Sequence, residues 1–292
     1  MLFLPAGNRR LPWHVPCPSV GTVHDLSSIH IAGKYDRGRL FYILHVLPRL
    51  ARRLTHVVTI SESSKRDLVE YAKVPAERIS VIPLAADYDT YRPGDRESAR
   101  AAVRAEWRVD APYLLYISRL EHPGKNHVRL IRAFDRLKSH HDLPHKLVLA
   151  GSDWSGAEHI HRAAAEAVHG EDIVFTGFAR NDMLPPLYHG ADVFVFPSLY
   201  EGFGIPLLEA MACGIPVACA DLSSLPEVGG DGPVYFDPYD EEAMEDALHR
   251  LLSDEALRAG CVDRGLARCR DFSWERTARE TLAVLRRVGG RG

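Results

Sequence analysis

Apolar positions in this chain fall into short, nearly unbroken runs. Longer stretches separate them, with apolar residues recurring every three or four positions. Near the start, Leu2–Leu4, Val20–Val23, His56–Ile60 and Ile79–Pro83 have the unbroken form and predict strands buried on both faces. Arg39–Leu54 (RLFYILHVLPRLARRL) predicts one helix, apolar on one face and carrying Arg49, Arg52 and Arg53 on the other. Ser61 predicts the N-cap of the next helix. Pro93-Gly94 and the charged helical run Asp95–Arg108 predict the connection between two domains. A second series follows. Strands are predicted at Tyr113–Ser118, Lys146–Ala150, Ile173–Thr176, Val193–Pro197, Val217–Ala220 and Val234–Phe236. Helices are predicted at Val128–Ser139, Glu158–Val168, Met183–His189, from Pro206, Glu241–Leu252, Glu255–Cys269 and Trp274–Val288, the last capped by Ser273. Strand–helix alternation of this kind predicts an α/β architecture of parallel sheets covered by helices.

At 292 residues the chain is long for a single core, which favours two domains. The boundaries read as 1–92 for a first lobe, 93–110 for a linker, 111–271 for a second lobe and 272–292 for a C-terminal helix returning to the first. A net charge of −3 with 26% charged residues gives no basic excess, so no nucleic-acid partner is expected. The five cysteines are scattered, odd in number and without a Cys-x-x-Cys pair, which suits buried thiols in a reducing cytoplasm. No signal peptide is expected, and no apolar run approaches the roughly 20 residues of a membrane span. The basic face of Arg39–Leu54 reads first as a solvated helix face; a membrane-surface role is the secondary reading.

The chemistry concentrates in Pro197–Pro216, PSLYEGFGIPLLEAMACGIP. Gly202 and Gly204 precede Pro206, a residue favoured at the first helical position, so the stretch predicts a glycine loop entering a helix N-terminus. Such a terminus offers backbone N–H groups and a positive dipole end to a phosphate. Glu201 and Glu209 are placed to take hydroxyls of the same ligand, although two glutamates at this spacing also suit a loop charge and a capping carboxylate. Arg119 and Lys125, in SRLEHPGKNH after the Tyr113–Ser118 strand, could clamp a diphosphate, Arg through its planar fork and Lys as a point charge. Two solvated surface cations are the alternative; Pro123-Gly124 favours the clamp, because a tight turn brings both side chains together.

Val148–Gly151, Thr176-Gly177, SRLEHPGKN and the Pro197–Pro216 stretch together resemble the donor half of retaining GT-B glycosyltransferases of family four. The resemblance runs from about Val20 to the last helix. It implies two Rossmann-like lobes with parallel sheets, Arg119 and Lys125 on the donor diphosphate, and Glu209 on the ribose hydroxyls. It also implies Glu201 beside the transferred sugar, with backbone N–H groups at Phe203 and Gly204 near it, and His24 of GTVHDL facing that sugar. The implied activity is transfer of a hexose, mannose or similar, from a nucleoside diphosphate sugar to a glycan or lipid-linked hydroxyl, with retention. GDP-mannose or a UDP-sugar is the expected donor, in surface polysaccharide biosynthesis, with no metal and no other cofactor. Cytoplasmic residence is expected, with peripheral contact at the inner face of the membrane as the further option. A non-catalytic nucleotide-sugar-binding protein or partner subunit is the alternative function. A sugar-nucleotide epimerase is a third, disfavoured by EGFGIPLLEA.

Members of the family usually open with a strand and glycine-rich loop, and this sequence shows neither, so an incomplete N-terminal lobe and acceptor wall are expected. An unpaired sheet edge near Leu2–Leu4 would then invite a homodimer. Three patterns are set aside as sites. Asp87-Tyr88-Asp89 has the Asp-x-Asp form of a metal motif but reads as a turn. His140, His141 and His145, with His159 and His161, read as surface histidines. Cys213 and Cys219 read as buried thiols.

Overall fold

A computed structural model of the chain describes residues 1–7, 11–31 and 37–290. The described residues form two compact units. The first comprises Met1–Ala85, Tyr200–Gly204 and the C-terminal stretch from Phe272; the second comprises Ala86–Leu199 and Ile205–Asp271.

The first unit is built on four parallel strands, β1 (Leu2–Leu4), β2 (Ser19–Thr22), β3 (His56–Thr59) and β4 (Ile79–Val81), in the order 1-2-3-4. Because successive side chains of a strand point to opposite faces, adjacent valines serve different cores. Val57 packs with Val23, Leu26, Leu47, Leu50 and Leu68 on one face. Val58, with Val20 and Ile82, meets Val284, Leu285 and Val288 on the other. Those three belong to the helix Trp274–Gly289, capped by Ser273, whose hydroxyl accepts from the Arg276 N–H at 3.1 Å. The basic helix predicted over Arg39–Leu54 is observed as Arg37–Phe41 and Leu47–Ala51, with Tyr42–Val46 wound as a π-helix between them. Pro48 has no N–H to return to the preceding turn, which accounts for the irregular winding. β1 pairs only with β2 among the described strands and forms one edge of the sheet.

The second unit contains six parallel strands: β5 (Tyr113–Ile117), β6 (Lys146–Ala150), β7 (Ile173–Gly177), β8 (Val193–Phe196), β9 (Val217–Ala220) and β10 (Val234–Phe236). Their order is β10-β9-β8-β5-β6-β7, so the winding reverses between β5 and β8. A ligand is expected at the carboxyl ends of the strands at such a switch point. The charged run after Pro93 forms the helix Arg96–Trp107 and belongs to this unit. There Arg100 donates to the Gly190 carbonyl at 3.0 Å and to Asp192 at 2.7 Å. Two short helices, Ser27–His30 and Leu225–Gly229, have no counterpart in the sequence reading, since four or five residues are too few to show a helical period.

The carboxyl edge of this sheet leaves no room for a side chain at Gly151. It has φ +153°, and a Cβ there would stand 1.9 Å from the Ser118 carbonyl oxygen at the exit of β5. Gly151→Ala should therefore lower stability by at least about 2 kcal/mol, because both the dihedral and the contact are unfavourable. The expected result is a lower chemical-denaturation midpoint; an unchanged midpoint would show that the β5 and β6 exits can separate without cost.

Candidate active site

The switch point of the second unit is stitched together by the loop that follows β5. Asn126 lies in the left-handed region (φ +60°) and is 2% exposed. Its carboxamide nitrogen donates to the carbonyls of Pro197, after β8, at 3.1 Å and of Pro238, after β10, at 2.8 Å. The Leu199 N–H donates to the Gly124 carbonyl at 3.0 Å, and the Tyr116 hydroxyl, 3.0 Å from Ser198 Oγ, donates to the Lys125 carbonyl at 2.9 Å. The loop holding Arg119 and Lys125 is thus tied to the end of β8 by its own backbone. Next to it His127 is buried; loss of solvent, with Lys125 nearby, pushes its imidazole down to about 3, so it is neutral at ordinary pH. The Arg119 guanidinium is half exposed, lies 4.9 Å over the Trp154 ring and stands 3.4 Å from Glu121.

Glu209 sits in the helix Ile205–Ala212. Tyr188 donates its hydroxyl to Glu209 Oε2 at 2.8 Å, and the Tyr91 hydroxyl bonds the same carboxylate. The two phenol rings meet edge to face at 5.7 Å. Burial raises the Glu209 carboxyl above its ordinary value, and the two hydroxyl donors oppose that rise. One carboxylate is therefore fixed in orientation at a real desolvation cost.

Gly202, Phe203 and Gly204, with Glu201, belong to the first unit, although the chain on either side belongs to the second. Their unit also contains His24, at the carboxyl end of β2. A Cβ on Gly202 would lie 2.8 Å from Asp25 Cβ and 3.2 Å from the His24 carbonyl oxygen, so the loop touches the His24-Asp25 turn at a residue without a side chain. Gly204 has φ +106°. Phe203 meets Phe272 edge to face at 5.8 Å. Asp25 accepts the Ser27 N–H at 2.9 Å, and Ser64 Oγ donates to the His24 carbonyl at 2.9 Å. The predicted residues thus fall into two groups: Arg119, Lys125 and Glu209 in the second unit, and His24 with Glu201–Gly204 in the first.

The family model for glycosyl transferases group 1 matches residues 99–268. The chain belongs to this family. A second model, Glycosyltransferase Family 4, matches residues 2–90. Among curated relatives, the chain is 32% identical to the O-antigen chain mannosyltransferase B of Escherichia coli, over 90% of this chain and 69% of that protein. It is 30% identical to the serotype-specific mannosyltransferase WbdA of Escherichia coli, over 92% of this chain and 33% of that protein, so it spans about a third of this longer relative. Among solved structures, sucrose-phosphate synthase from Thermosynechococcus elongatus matches with a TM-score of 0.79 and 26% identity, over 94% of this chain and 68% of that one. Anabaena HepE, solved with UDP and glucose, matches with a TM-score of 0.79 and 23% identity, over 92% and 71% of the two chains. The glycosyltransferase has the GT-B fold expected from the resemblance, with two parallel sheets in separate units.

Several residues that hold the predicted ones within their own units were not singled out in the sequence. Asn126, Tyr91, Tyr188, Trp154 and Tyr200 act through contacts between distant segments; only the left-handed conformer that Asn tolerates gave a local signal. Asp87, from the Asp-x-Asp run, accepts from Thr90 Oγ1 at 2.7 Å and from the Asp89 N–H at 3.2 Å, making a turn. Three of the histidines read as surface residues have partners: His140 binds Glu245 at 2.6 Å, His141 stacks on His249 at 3.8 Å, and His161 binds Asp153 at 2.9 Å; His145, read as another, is instead largely buried, 3.7 Å from Asp192. Cys213, Cys219, Cys261 and Cys269 are buried, whereas Cys17, expected to be a buried thiol like the rest, is exposed.

Glu209→Gln separates fold from function. A raised folded-state value means that the carboxyl contributes stability below its ordinary, unfolded value of about 4.5 and loses it as pH rises through the folded value. The amide keeps an acceptor for Tyr188 and has no charge to desolvate. At pH 8 the variant should therefore melt no lower than wild type, while nucleotide-sugar binding weakens by about tenfold or more. A lower melting point with intact binding would reverse the assignment of this carboxylate.

Proposed function

We propose that the protein transfers a hexose, mannose in the first instance, from a nucleoside diphosphate sugar to a hydroxyl of a glycan or lipid-linked acceptor, with retention at the anomeric carbon. The observation that supports this reading is the tethering of the Arg119–Lys125 loop to the end of β8, beside the switch point between β5 and β8. Arg119 and Lys125 take the donor diphosphate, Glu209 the ribose hydroxyls, and Glu201, His24 and the backbone N–H groups of Phe203 and Gly204 the hexose. As the sugar–phosphate bond loosens, negative charge grows on the leaving diphosphate. The two cations and the N-terminus of the helix Ile205–Ala212 stabilise it, a contribution that is usually the largest in such reactions. No metal is assigned a role. The names of the Escherichia coli relatives favour mannose, hence GDP-mannose before a UDP-sugar, and a place in surface polysaccharide biosynthesis.

Calorimetry and transfer assays with GDP-mannose, GDP-fucose, UDP-glucose and UDP-galactose test this directly. GDP-mannose is expected to bind and turn over with a mannosylated acceptor. Lys125→Ala should lower transfer by about 10²- to 10³-fold while the melting profile stays unchanged. Tight donor binding without turnover on any acceptor would replace this reading with the non-catalytic one.

The first unit also supports peripheral contact with the inner face of a membrane. Trp13, Phe41 and Leu44 are 71%, 60% and 40% exposed. Trp13 and Phe41 line one depression with His45, Val46 and Arg49, and Arg53 donates to the Trp13 carbonyl at 3.0 Å. Exposed aromatics among arginines suit an anionic lipid surface. Among the described residues no helix is long and apolar enough to cross a membrane. Co-sedimentation with phosphatidylglycerol vesicles, lost on phosphatidylcholine vesicles and in Trp13→Ser with Phe41→Ser, is the expected result; equal pelleting with both lipids would refute it.

A further inference from the structure

The loop that carries Glu201 is gripped at two points by one helix of its own unit, Glu62–Glu70. Asp67, 7% exposed, offers Oδ2 to the hydroxyl of Tyr200, which is also 7% exposed, and stands 3.0 Å from His30 Nε2. The His30 ring stacks on the Tyr200 ring at 4.6 Å with 11° between planes, closing off the pair. Three residues earlier on the same helix face, Ser64 bonds the His24 carbonyl at 2.9 Å and reaches the Gly202 carbonyl at 3.5 Å. Asp67, Tyr200, His30 and Ser64 are not among the residues assigned to the donor.

We propose that Asp67 and Tyr200 are a positioning pair that fixes the loop bearing Glu201 to the sheet edge bearing His24. The inference rests on the proposed transfer reaction for its kinetic consequence only. Glu201 leaves and re-enters the second unit within five residues, Tyr200–Gly204, so its place is set by what holds that segment to the first unit. A buried hydroxyl on a buried carboxylate is directional; without it Asp67 keeps His30 as a partner, so what is lost is the tie between the helix and the loop. Phe203 packs the far end of the segment edge to face on Phe272. The pair therefore fixes the backbone from which Glu201 extends, while the proposed diphosphate and ribose contacts stay with Arg119, Lys125 and Glu209.

Hydrogen exchange read by mass spectrometry, together with steady-state kinetics, tests the pair in Tyr200→Phe, Asp67→Ala and the double variant. Tyr200→Phe keeps the ring on His30 and removes only the hydroxyl. It should raise amide exchange at 201–204 by about tenfold, leave 206–212 unchanged, and lower kcat about tenfold with the donor KM within about twofold. The double variant should be no worse than the worse single one, because both remove the same bond. Exchange unchanged at 201–204, exchange raised throughout the first unit, additive losses, or loose loop amides with an unchanged kcat would each overturn the proposal. Should wild type transfer no sugar, the reaction assignment fails, and the exchange pattern alone still decides whether the pair holds the loop.

Discussion

The carboxamide of Asn126 is the interaction on which the second unit's ligand edge depends. Two carbonyls at the ends of β8 and β10 are taken up by one buried side chain, itself held in a left-handed conformation that Asn adopts more readily than most residues. The strands alone would define six parallel exits without fixing the loops above them. Donating to both carbonyls satisfies polar groups that would otherwise be buried unpaired. The same bonds bring the Arg119–Lys125 loop over the switch point. The loop carrying the two cations proposed to bind phosphate is therefore held in place by an uncharged residue beside them.

This division of labour recurs in both units. Glu209 is oriented by Tyr188 and Tyr91, and the segment bearing Glu201 by Tyr200 on Asp67. In each case a phenol, deep in the unit and kept protonated by burial, donates to a carboxylate. Desolvation alone pushes a carboxyl toward its neutral form, and a hydroxyl donor opposes that tendency without adding charge. Lysine or arginine in place of these phenols would add a charge beside each carboxylate. Tyrosine restrains the acid without adding a charge.

Strand positions were legible in the sequence because a strand covered on both faces must be apolar throughout, and all ten runs read as strands are strands. The family stretch was legible for another reason: glycines at 202 and 204, Pro206 and the two glutamates each answer a local backbone or charge requirement. The allocation of Tyr200–Gly204 to the first unit was not legible, since a five-residue excursion between β8 and the helix after it changes no hydrophobic period. The helix Arg96–Trp107 read as a connector because its surface is charged; its place is set by Arg100 on Gly190 and Asp192, contacts across some ninety residues. Long-range polar pairing of this kind has no sequence period to reveal it.

The excursion has a mechanical consequence. Leu199 ends the second unit's segment and Ile205 resumes it, so the backbone between them answers to the first unit's cores. Gly202 permits this because no Cβ stands between the loop and the His24-Asp25 turn, and Gly204 because its φ of +106° returns the chain to the helix. A larger residue at 202 would push the loop off its turn, and an ordinary L-residue at 204 would strain the re-entry. The glycines conserve geometry rather than flexibility here: they let a short segment be held by one unit while both its ends are anchored in the other.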